Sequence, residues 1–126
     1  MIQLLKNKMK VITTLFLLMF SITYSSAQQS IEGLWETGKE ESIIDISLSS
    51  EQLIGKIKSS NNKKAEIGKI ILKELRKEGN KWVGKIYAAK RKKWYHVEII
   101  SKEDVLELKI GSGLMSKSLQ WNKSKS

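Results

Sequence analysis

The 126-residue chain contains no cysteine, no proline and only one histidine. Without cysteine there is no disulfide framework, no thiol for a lipoprotein anchor and no thiolate nucleophile, so stability has to come from core packing and strand ladders. The lone His96 falls on the polar face of an alternating segment, and its neighbours in sequence offer neither an orienting carboxylate nor further metal ligands. No catalytic residue, metal centre or cofactor is therefore expected. Acidic residues are also scarce, with 13 against 23 lysines and arginines, which leaves a formal charge of +10. A positive field of that size favours anionic partners.

The N-terminal segment reads as a targeting signal rather than as part of the fold. Lys6, Lys8 and Lys10 precede an uncharged apolar run from Val11 to about Tyr24, and Ser25 and Ala27 are small residues placed for signal-peptidase cleavage before Gln28. Met9-Lys10 is an alternative start. The apolar run is shorter than the ~20 residues of a membrane-spanning helix, so residues 1–27 are expected to be a cleaved secretory signal and the remainder to carry no transmembrane anchor. The expected location is periplasmic or extracellular. Loss of the leader's three lysines lowers the charge from +10 to +7. About a hundred residues remain, enough for one domain with one core.

Within that remainder the dominant period is two. Gly33 to Thr37, Ser42 to Leu48, Gln52 to Lys58, Lys81 to Tyr87, Lys93 to Ile100, Val105 to Ile110 and Ser116 to Asn122 all alternate or nearly alternate apolar and polar residues, as half-buried strands do. Gly68 to Leu75 is ambiguous: Ile67, Ile70, Ile71 and Glu74 fit a helical spacing, whereas Ile70 and Leu72 fit a strand, and the neighbouring strands favour the latter. Ser49-Ser50-Glu51, Lys77-Glu78-Gly79-Asn80 and Ser101 to Asp104 read as turns. Leu53-Ile54-Gly55-Lys56-Ile57 echoes Trp82-Val83-Gly84-Lys85-Ile86, with glycine on the apolar face both times. Such a glycine marks a sharp bend or a close backbone approach, unless the echo only reflects how common these residues are here. About eight short strands at regular spacing predict an all-β, antiparallel up-and-down β-barrel, because closure removes exposed edges.

Gly33 and Trp35, the Leu53 to Ile57 strand, Gly68 with its apolar run, the Trp82-x-Gly84-Lys85-Ile86-Tyr87 segment, Tyr95 and the closing Trp121 resemble the bacterial family called domain of unknown function 2147. Ala88-Ala89 and a basic run stand where that family usually carries aspartate-proline and a glycine turn. The resemblance implies a small exported protein with a lipocalin-like, or calycin, barrel. It also implies that the glycine-x-tryptophan pair packs at the closed end, under a basic residue near the C terminus, a role Lys123 has the position for.

Two stretches are candidates for function. Trp82, Tyr87, Trp94 and Tyr95 either line a ligand mouth or fill the core. Lys90, Arg91, Lys92 and Lys93 form a basic hairpin tip suited to anionic polymers, lipid head groups or an acidic partner. Nucleic acid is not an expected partner, since the chain is read as exported and no nucleic-acid-binding signature surrounds the run. The first functional expectation is an exported, non-enzymatic binding protein for a small apolar or amphipathic molecule. The second is a structural or interaction protein of the cell envelope that works through its basic face. Trp35 and Trp121 are expected in the core.

Overall fold

A computed structural model describes residues 30–125, and the expected leader lies outside the described residues. Eight strands follow one another: β1 (Gly33–Glu36), β2 (Ile43–Ser49), β3 (Gln52–Ser59), β4 (Ile70–Glu78), β5 (Lys81–Ala88), β6 (Lys93–Lys102), β7 (Val105–Ile110) and β8 (Lys117–Lys123). Each pairs antiparallel with the next, and β1 meets β8 through Trp35 opposite Lys123 and Glu36 opposite Asn122, which closes the barrel. The sole helical feature among the described residues is a 3₁₀ turn at Gly113–Met115. The fold is the all-β up-and-down barrel that the alternation predicts, and its architecture is lipocalin-like.

Because the strands alternate in direction, the connections alternate between two ends. Residues 37–42, 60–69, 89–92 and 111–116 gather at one end, here called the mouth, and the turns at 50–51, 79–80 and 103–104 lie at the other, the base. Alternate residues point inward, and cross-strand partners share a face. Val97 opposite Ile110, Ile99 opposite Leu108 and Leu106 opposite Trp121 therefore build one contiguous interior with Ile44, Ile46, Leu53, Leu72, Leu75 and Ile86. Burying one such aliphatic side chain contributes about 1.5–3 kcal/mol. No polar or charged residue is buried among the described residues, so the interior carries no polar desolvation cost.

The segment before β1 completes this core in a way the alternation did not signal. Ile31 is fully buried, and its carbonyl accepts a 2.9 Å hydrogen bond from Nε1 of Trp35. The indole thereby satisfies its polar atom while its ring stays apolar, and Ile31 plugs the base. Lys123 lies opposite Trp35 in register but is exposed; the cations that stand over aromatic rings are Lys69, Lys73 and Lys77.

β4 resolves the sequence's ambiguous segment. It is a strand, and it runs on to Glu78, past the expected turn at Lys77-Glu78. The register against β5 shifts between Lys73 and Arg76, and Glu74 has φ +55°, the signature of a bulge. The extra residue lets Leu72 and Leu75, three apart, both face the core, a spacing that a strict period of two does not give. The two echoed glycines face this strand. A Cβ on Gly84 would lie 2.7 Å from the Lys73 carbonyl oxygen, and one on Gly55 would lie 2.9 Å from the Leu72 side chain. They mark close approach of neighbouring chain to a bulged strand, as small tight barrels need. β6 is likewise longer than expected: Lys102 pairs with Val105, and the connection shrinks to Glu103-Asp104 with Glu103 at φ +51°.

Candidate functional site

The four aromatic candidates do not converge. Trp82 and Tyr95 face inward, half-buried, but the ladder puts Trp82 opposite Ile99 and Tyr95 opposite Ile86, four residues apart along β5. At about 3.4 Å per residue that is roughly 13 Å, with Gly84 and Val97 between them. Tyr87 and Trp94 are opposite each other on the outer wall, with ring centroids 5.3 Å apart and planes tilted by 57°. Lys69 Nζ lies 4.1 Å from the Tyr87 ring centroid and Lys73 Nζ 4.1 Å from that of Trp94. These contacts come from Lys69, at the end of the β3–β4 connection, and from Lys73 of β4, beside the β5–β6 aromatic pair. Cations over ring faces are held by the ring quadrupole and by packing of their methylene stems.

The basic run lies where a hairpin tip should. Lys90, Arg91 and Lys92 form the β5–β6 turn with Ala89, Lys93 opens β6, and all four cations are exposed. Lys92 has φ +52°, the left-handed conformation a tight turn demands. The tip belongs to a wider asymmetry. The neighbouring connections at the mouth carry Lys63 and Lys64 on one side and lead into Lys117 on the other. The three base turns carry Glu51, Glu103 and Asp104 and no cation. The acids of the mouth are Glu40 and Glu41, on the β1–β2 connection across the ring from the tip, and Glu66, which pairs with Lys69 at 3.8 Å.

His96 is exposed on the outer wall, and here the structure adds what the sequence reading left out. Glu98, two residues on and therefore on the same face, places Oε1 3.8 Å from His96 Nε2 and 3.0 Å from Lys81 Nζ. The hydrogen bond from Lys81 leads in holding the Glu98 carboxyl below its ordinary range, with Lys109 and His96 adding positive charge. A depressed carboxyl stabilises the fold above its unfolded-state value and loses that contribution as pH falls through its folded-state value. Glu98→Gln should therefore lower the melting temperature slightly in the neutral region, where the ionised carboxyl contributes, converge with the unchanged protein in acid, and so flatten the acid limb below about pH 4.5. An unaltered acid limb would show that the Lys81–Glu98 pair carries no linkage.

The depressions of the surface that involve these residues lie on the outer wall. One of about 240 Å³ is bounded by Glu74, Arg76, Lys85, Trp94 and His96 around the buried Val83. Val83 shares the outward face with Lys85 and Tyr87, as alternation requires, yet it is only 4% exposed because Arg76 and Glu98 flank it in register. Among the described residues no group of three or more His, Cys, Asp or Glu side chains is arranged to hold a metal ion.

The fold and this surface define a small lipocalin-like barrel with an apolar interior and a basic hairpin tip at one end. The family model described as an uncharacterized protein conserved in bacteria (DUF2147) matches residues 33–123, the whole barrel from β1 to β8. The chain belongs to that family. No curated protein and no solved structure matches it.

Proposed function

We propose that this chain is an exported, non-enzymatic interaction protein of the cell envelope that contacts an anionic partner through the mouth end of its barrel. The observation that supports this reading is the division of charge between the connections at the two ends: the β3–β4 and β5–β6 connections at the mouth carry Lys63, Lys64, Lys69, Lys90, Arg91 and Lys92, whereas the three base turns carry Glu51, Glu103 and Asp104 and no cation. Such a field orients an approaching polyanion toward one end, within a screening length of about 10 Å at 0.1 M salt. The alternative, a small apolar ligand inside the barrel, has Trp82 and Tyr95 in its favour. Ile86, Val97 and Ile99 already pack in the same interior, which makes it the weaker reading.

The test uses the chain from Gln28 onward, which contains the complete barrel. Replacing Lys90, Arg91, Lys92 and Lys93 by serine lowers its charge from +7 to +3. The variant should elute from an anionic matrix at clearly lower salt, with stability changed by no more than about half a kcal/mol per exposed position. Unchanged retention together with a large loss of stability would overturn the assignment. Ligand carried through purification and identified by mass spectrometry would instead favour the interior site.

A further inference from the structure

The three most exposed large apolar side chains among the described residues lie at the same end as the basic tip, while Leu48, 61% exposed, stands alone beside a base turn. Leu114 is fully exposed and Met115 is 87% exposed at the 3₁₀ turn of the β7–β8 connection, and Ile67 is 62% exposed in the β3–β4 connection. Around the ring, these two connections flank the basic β5–β6 tip on either side. One continuous sector of the mouth thus presents apolar tips at its two edges and Lys90, Arg91, Lys92 and Lys93 at its centre, with Lys63, Lys64 and Lys117 beside the apolar tips. The β1–β2 connection, with Glu40 and Glu41 beside Lys39, sits on the far side. Nothing in the barrel packs on Leu114, so water bears its whole surface.

Apolar side chains set among cations match a surface that is apolar beneath and anionic on top. From this geometry we infer that the mouth docks on an anionic lipid bilayer: Leu114, Met115 and Ile67 enter the acyl boundary while the basic tip engages lipid phosphates. The inference rests on the anionic-partner reading above and narrows the partner to a membrane surface. The outer wall itself does not enter lipid. It carries Lys56, Lys85, Glu98, Glu107 and Lys109 where a transmembrane barrel presents an apolar band. Contact is therefore through one end only, with the barrel axis steep to the membrane. A soluble polyanion would explain the cations but leave the exposed leucine and methionine without a role.

The experiment is co-sedimentation of the chain from Gln28 with vesicles of phosphatidylcholine alone and with phosphatidylglycerol added. Beside the unchanged protein stand Leu114→Ser/Met115→Ser and the four-serine tip variant. Binding is expected only with phosphatidylglycerol, reduced about tenfold or more by the tip variant as its cations leave the phosphates. The Leu114→Ser/Met115→Ser variant should lose vesicle binding about tenfold as well, because its insertion surface is gone. It should keep its retention on an anionic matrix and its melting temperature, since neither side chain supports the fold. Retention on the matrix with no vesicle binding overturns the membrane inference and leaves the anionic-partner reading standing. Loss of both retention and vesicle binding by the unchanged protein would remove both. Vesicle binding by Leu114→Ser/Met115→Ser equal to that of the unchanged protein overturns insertion of these side chains.

Discussion

Trp35→Ala and Trp121→Ala should each lower the stability of the barrel by about 3–5 kcal/mol, the usual cost of deleting a buried aromatic side chain. Each tryptophan is only 3% exposed and belongs to the contiguous core. A domain of this size has about 5–15 kcal/mol of stability in all, so either variant should melt far lower or fail to accumulate. The two residues are not equivalent. Trp35 also donates to the Ile31 carbonyl, so Trp35→Phe should retain most of the burial but strand that acceptor, at a further cost of about 1 kcal/mol. Trp121→Phe lacks that penalty. Thermal melting of the four variants checks the ordering. A Trp35→Ala protein that melts like the unchanged one would mean that the base is held closed by something other than the indole and Ile31.

Gly84→Ala is expected to destabilise by about 1–3 kcal/mol, the range for forcing volume into a packed site. The added methyl would meet the Lys73 carbonyl oxygen at 2.7 Å and that of Glu74 at 3.1 Å, together with Leu75 at 2.8 Å. Two of these three atoms are backbone and belong to the β4 bulge, so relief requires moving the bulge that aims Leu75 into the core. Lys85→Ala, at the next position but exposed, should stay within about half a kcal/mol. Chemical denaturation of both reads the difference directly. If Gly84→Ala were as stable as the parent, the β4 bulge would have to be soft, and the inward glycine of the repeated segment would have lost its structural reason.

The bulge also explains where sequence reading met its limit. A period of two was legible for seven segments because each strand buries one face, and alternation is the direct trace of that burial. It failed for β4, where one extra residue places Leu72 and Leu75 three apart on the same side. The neighbouring strands already favoured a strand here, but only pairing with β5 shows the three-residue spacing to be a bulge. Ile31 escaped for a related reason: a single apolar residue outside any periodic segment has no pattern to announce it, and its burial depends on the barrel closing above it. A period of two puts Trp82 and Tyr87 on opposite faces of one strand, and Trp94 and Tyr95 on opposite faces of the next. It could not say how far apart two residues on the same face stand, which register alone decides.

Sequence by itself determined the strands, their likeness to the family, the burial of Trp35 and Trp121, and the exposed basic tip, since each follows from local period, residue type or hydration of charge. Tertiary structure decided the rest, because it depends on which segments become neighbours. Closure joined β8 to β1, and register separated the aromatic candidates. Strand alternation sorted the connections into an end that bears the basic tip with Leu114, Met115 and Ile67 and an end whose turns carry acids at two of three positions and no cation. Charges scattered along a chain have no direction until the fold gives its connections two ends.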